Sequence, residues 1–335
     1  MDLSVKVHRL TKNFEVTVKK PGLKEAIKAL FNPEKKTVHA LKQISFTIEE
    51  GELVGFIGPN GAGKTTTLKT LSGLLYPTSG HVLVEGFDPW DRKSEFLKKI
   101  ALVMGQKNQL WWDLPAIETF ELNRAIYEIP RKKYEESLNE LVSLLDVKKL
   151  LSIPVRRLSL GQRMRLELVA ALIHGPKVLF LDEPTIGLDV VASQKMRDFI
   201  LSYNKRFKAT VILTSHNMGD VASLAKRVIV IDKGKIIFDG NLSELVSLYA
   251  KEKIIKVVLS GDGDYKSLEK IGKVISISIP KVEILVSRSM ATLAASEILQ
   301  NFSVEDLNIE EEPVENVVRR IFSGETKNLK RKKNG

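Results

Sequence analysis

The sequence predicts an α/β fold: a mostly parallel sheet with helices on its faces, joined to an antiparallel β layer, an inserted helical subdomain and a small C-terminal α+β domain. Three observations carry this reading. A glycine-rich turn links the apolar run Leu53–Ile57 to a helical stretch over Leu68–Leu75, the apolar strand Lys177–Leu181 ends in two adjacent carboxylates, and strands alternate with helices from 177 to 238. At 335 residues the chain is long enough for a domain of about 200 to 250 residues and a smaller one.

Taken in order, residues 3 to 16 and Val38–Ile48 alternate between apolar and polar positions and predict strands of the antiparallel layer. Between them lies a basic insert over about 19–37. Within it Leu23, Ala26, Ile27, Leu30 and Phe31 fall on one face of a short helix ending before Pro33, suited to capping the domain or to contacting a membrane-embedded partner or the lipid surface. Gly80–Gly86 predicts a strand and turn, and Ile100–Met104 a strand leading to Gln106. From about 107 to 165 the pattern becomes helical, over Ile117–Ile129 and Tyr134–Leu145, separated by Pro130. Helices over Val190–Tyr203 and Asp220–Ala225 then alternate with strands over Ala209–Thr214, Val228–Ile231 and Lys235–Phe238. The accessory domain, about 246–325, carries strands at Ile254–Leu259, Val274–Ile279 and Val282–Val286 and helices at Thr292–Gln300 and Pro313–Phe322. The last residues, 326–335, read as a basic disordered tail.

Chemistry concentrates first in Gly58-Pro59-Asn60-Gly61-Ala62-Gly63-Lys64-Thr65-Thr66. Glycines without a Cβ let backbone amides approach a polyphosphate, Lys64 supplies a point charge to its β- and γ-phosphates, the helix N-terminus faces the anion, and Thr65 offers a hydroxyl to Mg²⁺. A chance match of this four-position pattern is roughly one in a hundred for a chain of this length. The loop alone leaves kinase, GTPase, motor and transporter ATPase open. Asp182 and Glu183 point different ways at a strand end, which suits a division of labour: Asp182 holds Mg²⁺ while Glu183 faces the attacking water as general base.

A second anion site is predicted at Leu158-Ser159-Leu160-Gly161-Gln162, where Ser159 and Gly161 open a long helix with free N–H groups. Here the chain resembles the nucleotide-binding subunits of ABC transporters, with Leu160 standing where that family's signature carries its central glycine. The resemblance covers about 3–245 and implies an ABC-type P-loop ATPase domain over 1–245. It implies that the signature, Ser159, Gly161 and Gln162, closes over ATP held by the phosphate loop of a second subunit, in a homodimer or heterodimer. Gln106 matches the glutamine that contacts Mg²⁺ and the attacking water, Asp189 in Gly187-Leu188-Asp189 matches the D-loop, and His216 matches the histidine that contacts the γ-phosphate. Phe14 is the candidate for the aromatic stacked on adenine. Trp111 and Trp112 follow Gln106 where family subunits receive a permease segment, and one facing that cleft with the other buried is expected. The stretch 103–115 and the C-terminal segment look like exporter-type subunits related to drug-export systems.

No apolar run approaches the ~18 to 20 residues of a spanning helix, and the N-terminus lacks a secretion signal, so a cytoplasmic subunit acting through a separate integral membrane permease is expected. A soluble ATPase of the same type acting on ribosomes or nucleic acid is the alternative, and the net charge of +11 would suit it. The basic residues lie in 19–36 and in the tail instead of interleaving with aromatics along a groove, so no nucleic acid partner is expected.

Overall fold

The structure is a computed structural model that describes residues 2–17, 35–105, 107–215, 217–260 and 265–323. The expected helix within the basic insert, Gln106, His216 and the basic tail lie outside the described residues. The chain divides into two compact units, Met1–Leu242 and Ser243–Gly335.

The first unit begins with β1 (Leu3–Thr17) and β2 (Lys35–Glu49), followed by β3 (Leu53–Ile57), α1 (Lys64–Leu71), β4 (Ser79–Val84), the short α2 (Ser94–Leu97) and β5 (Ile100–Met104). Three helices come next, α3 (Ala116–Ile126), α4 (Arg131–Leu144) and α5 (Leu160–Leu172). The chain then returns to alternation through β6 (Val178–Asp182), α6 (Val190–Phe207), β7 (Thr210–Ser215), α7 (Met218–Leu224), β8 (Arg227–Asp232) and β9 (Lys235–Asn241). One sheet has the order β5-β6-β7-β3-β8-β9, with only β9 antiparallel to its neighbour. A second, antiparallel sheet has the order β2-β1-β4.

The central strands are apolar on both faces because both are covered. Leu179, Leu181, Val211 and Leu213 pack with Phe120, Leu168, Val169 and Phe199 of the helices. Residues of opposite parity on β6 and β7, Val178, Phe180 and Ile212, pack instead with Phe56, with Leu68 of α1 and with Val7, Phe46 and Val84 of the antiparallel sheet. Each such fully buried side chain contributes about 1.5 to 3 kcal/mol of transfer free energy. The two cores clamp the sheet from opposite sides, which fixes the carboxyl ends of β3, β6 and β7 side by side.

In the second unit β10 (Glu252–Leu259), β11 (Lys273–Ser278), β12 (Lys281–Ser287) and β13 (Val304–Glu311) form an antiparallel sheet of order β11-β12-β10-β13. Ile255, Val257, Ile284 and Val286 face Ala291, Ala294 and Ile298 of a helix over Ala291–Asn301. β13 was not anticipated from sequence: its Glu305, Asp306, Glu310 and Glu311 break the apolar alternation, and pairing with β10 supplies the order instead. Among the described residues no helix is long and apolar enough to cross a membrane.

Candidate functional site

The loop between β3 and α1 is set by its glycines. Gly61 has φ of 77° and Gly63, the N-cap of α1, has φ of 116°, values that L side chains rarely adopt. A Cβ on Gly63 would also lie 2.9 Å from the Ala40 carbonyl oxygen and 2.7 Å from a Leu41 methyl, so the loop can seat only glycine there. The chain closes on itself through the Ala62 amide, which donates to the Pro59 carbonyl at 3.1 Å. Lys64 is 6% exposed, and its ammonium donates to the carbonyls of Gly58 at 2.7 Å and Pro59 at 3.2 Å. Burial lowers its pKa, opposed by the charges of Glu183 and Asp182.

Asp182 sits opposite this loop at the end of β6. Its Oδ1 accepts from the hydroxyl of Thr65 at 3.1 Å and from that of Thr214 at 2.6 Å. Thr214 is fully buried on β7, in register with Asp182, and its hydroxyl and carbonyl oxygens each accept from the Glu183 amide at 3.1 Å. Glu183 itself adopts φ of 54°, a left-handed backbone that turns the chain out of the strand and separates the two carboxylates. Beyond it, the Thr185 hydroxyl donates to Asp220 at 2.5 Å, and Arg197 donates to the same buried carboxylate. These contacts tie the segment after Glu183 to α6 and α7.

These groups border a cleft of about 560 Å³ lined by Asn60, Gly61, Gly63, Lys64, Thr65, Thr66, Asp182 and Glu183, together with Ala40, Lys69, Met104, Gly105, Lys107 and Ile186. Gly58, Pro59 and Ala62 do not line it; they shape the loop from behind through the bonds to Lys64 and through burial of Ala62. The cleft fits a magnesium-bound polyphosphate. Among the described residues no cluster of three or more acidic, histidine or cysteine side chains forms a protein-only metal cage. One hydroxyl and one carboxylate in contact, Thr65 and Asp182, make the sparse oxygen set that Mg²⁺ takes when phosphates and water complete its shell.

Other expected site residues lie apart from this cleft. Phe14 does not line it: it is half-buried on β1, in register with Val38, with the Lys12 ammonium 5.0 Å from its ring centroid. Ser159, Gly161, Gln162 and Asp189 do not line it either. Of the free amides expected at the start of α5, that of Ser159 is taken up within the helix cap. Ser159 and Gln162 form a capping box, in which the Ser159 hydroxyl accepts from the Gln162 amide at 3.2 Å and the Gln162 side chain accepts from the Ser159 amide at 2.9 Å. Asp189 is likewise occupied as the N-cap of α6, accepting from the Ala192 amide at 2.7 Å. The two segments pack together, since a Cβ on Gly161 would lie 3.0 Å from that of Ala192. Trp111 and Trp112 are 55% and 50% exposed, so neither is buried in the helical subdomain as was expected of one.

Sequence reasoning missed Thr214. Its only signal is its place on the strand before His216, and its role follows from strand register, which the sequence does not print.

A glycine-rich loop cradled by two sheets, facing a carboxylate pair at the end of a parallel strand one removed from its own, defines a P-loop nucleoside triphosphatase. The comparisons take this further. The family model described as "ABC transporter" matches residues 41–186, and that of the "EvrA-like ABC transporter, C-terminal domain" matches residues 251–310. The ABC transporter ATP-binding protein NatA of Bacillus subtilis is 34% identical over 246 residues, covering 73% of this chain and 96% of that protein. ABC transporter A family member 1 of Dictyostelium discoideum is 32% identical over 259 residues, of which the chain spans 29% of the length. An ATP-binding cassette solved as a dimer in a post-hydrolysis state with ADP and Pi superposes with a TM-score of 0.58 at 25% identity, covering 71% of this chain and 98% of that one. The chain belongs to the ABC transporter ATP-binding proteins and is an ATPase of that family.

Proposed function

We propose that two ATP-binding subunits of this kind bind two ATP between them and drive a separate integral membrane permease, as an exporter, from the inner face of the cell membrane. The observation that carries the shared site is the split in its parts. Lys64, Thr65, Asp182 and Glu183 line one cleft, while Ser159, Gly161 and Gln162 lie outside its lining. In this reading a phosphate held at the loop faces one wall from its own chain, and the signature segment of a second chain supplies the other. The dimeric form of the similar cassette supports this reading.

Within each half-site the residues take separate tasks. Lys64 and the loop amides bind and orient the phosphates. The Thr65 hydroxyl and Asp182 would hold Mg²⁺, which would supply charge neutralisation to the bound phosphates. Glu183 accepts the proton of the attacking water, and Thr214 holds the Glu183 amide and the Asp182 carboxylate in fixed relation. Gln106 and His216 complete the site on the resemblance alone. Phe14, in register with Val38 two residues before the cleft-lining Ala40, stacks on the adenine ring in this reading.

The test uses Glu183→Gln. With ATP and Mg²⁺ it should retain nucleotide, lose hydrolysis and run as a dimer in light scattering. A monomer at saturating ATP would remove the shared site. Chelation of divalent cations should stop wild-type turnover, and co-purification of an integral membrane protein would separate the permease reading from a soluble one.

A further inference from the structure

Glu167 is a buried acid that the reading above does not use. It lies on α5, the helix that the signature segment opens, and is 2% exposed. Both of its carboxylate oxygens lie 3.0 Å from the Gln109 amide, and Oε1 also accepts from the Leu110 amide at 3.3 Å. Burial raises its pKa, opposed by these two amides and by the charge of Arg163 one turn earlier on α5. A carboxylate in such a place costs free energy unless its oxygens are satisfied, and the loop amides satisfy them.

The loop so held lies between β5, which pairs with the strand that ends in Asp182, and the exposed tryptophans. At its start the Gly105 amide donates to the Asp182 carbonyl at 2.9 Å and the Gln109 side chain to the Leu102 carbonyl at 2.7 Å. At its far end the guanidinium of Arg163 lies 5.9 Å from the Trp112 ring, and the Arg156 amide donates to the Trp112 carbonyl at 3.0 Å. Gln109 is thus the point where one residue grips β5 with its side chain and α5 with its backbone.

We propose that Glu167 is a positioning residue that locks the loop 107–115 to the signature helix, so that a displacement of that helix on ATP binding carries Trp111 and Trp112 with it. The inference rests on the functional reading above. Glu167 does not line the cleft, and it transmits position instead of taking part in chemistry.

The test uses the full chain with Trp90→Phe, which leaves Trp111 and Trp112 as its only tryptophans. ATP with Mg²⁺ should change their emission and acrylamide quenching. Glu167→Ala should abolish that response while calorimetry gives the unaltered ATP affinity, and the Gln109 and Leu110 amides should exchange at least about tenfold faster. Glu167→Gln, which keeps the shape and one acceptor oxygen, should retain part of the response and serves as the test if the alanine variant does not fold. A merely structural role would lower thermal stability and leave the ATP-dependent emission change in place, which would overturn the proposal. A parent protein that binds ATP without any emission change would also overturn it while sparing the functional reading. A parent that fails to bind ATP would overturn the functional reading and this inference with it.

Discussion

Thr214→Val replaces a fully buried hydroxyl by a methyl of the same shape on a strand where β-branched side chains are at home, so backbone and packing stay in place. Two bonds change. The 2.6 Å donation to Asp182 Oδ1 is lost outright, whereas the Glu183 amide keeps the Thr214 carbonyl at 3.1 Å as its acceptor. A hydrogen bond to a charged group contributes about 1.5 to 3 kcal/mol, so the variant should be less stable by that amount. For a domain of this size each kcal/mol moves the midpoint by about 2 to 4 °C, giving a Tm lower by roughly 3 to 12 °C in calorimetry. Asp182 retains the Thr65 hydroxyl but gains freedom to turn, and a misplacement worth about 1.4 kcal/mol at the barrier lowers ATP turnover about tenfold. Phosphate release at saturating Mg-ATP measures this. A variant with wild-type Tm and wild-type turnover would refute the argument that Thr214 holds the two carboxylate residues in register.

Lys64→Ala should weaken ATP binding by about 10- to 100-fold in calorimetry, since it removes a charge-assisted contact to the phosphates; unchanged affinity would remove the loop as the anchor. Glu183→Gln should lower hydrolysis by about 10²- to 10⁴-fold with ATP still bound, the range a positioned general base supplies, and ordinary turnover would exclude it as the base. His174 is buried, stacks on Tyr127 with ring centroids 4.0 Å apart and donates through Nε2 to the Ile100 carbonyl at 3.0 Å. Burial pushes its pKa down to about 4 from 6.5, so the unfolded chain binds the extra proton between these values. Its contribution to stability is therefore complete above about pH 6.5 and falls by up to about 3 kcal/mol as pH drops toward 4. His174→Phe should flatten the fall in Tm between pH 7 and pH 5, and an unchanged slope would remove His174 as its source.

What was legible in the chain was whatever it writes locally. The turn at Gly58–Gly63 announces itself because steric need and sequence coincide over a few residues, and the β6 strand because an apolar run stops at two acids. Thr214 was not legible: it meets Asp182 across a parallel pair, 32 residues away, and nothing at either position names the other. The same holds for Glu167, which reads as one polar residue in an apolar helix and whose partners, 57 and 58 residues earlier, lie in a loop. At Ser159 the residue type was informative and one of its uses, the helix cap, was missed. Serine three residues before glutamine is also the pattern of a capping box, and that is where the Ser159 and Gln162 amides are satisfied. The exposure of Trp111 and Trp112 depends on a loop pinned at both ends by backbone bonds, which periodicity does not describe.

The left-handed backbone at Glu183 sets two design goals against each other. A non-glycine residue in that conformation costs about 1 to 2 kcal/mol, which glycine would recover. Position 183 is then a place where a library sorted for heat resistance alone would enrich the very substitution that discards the proposed base. A thermostable variant obtained without an activity screen should be sequenced at this codon first.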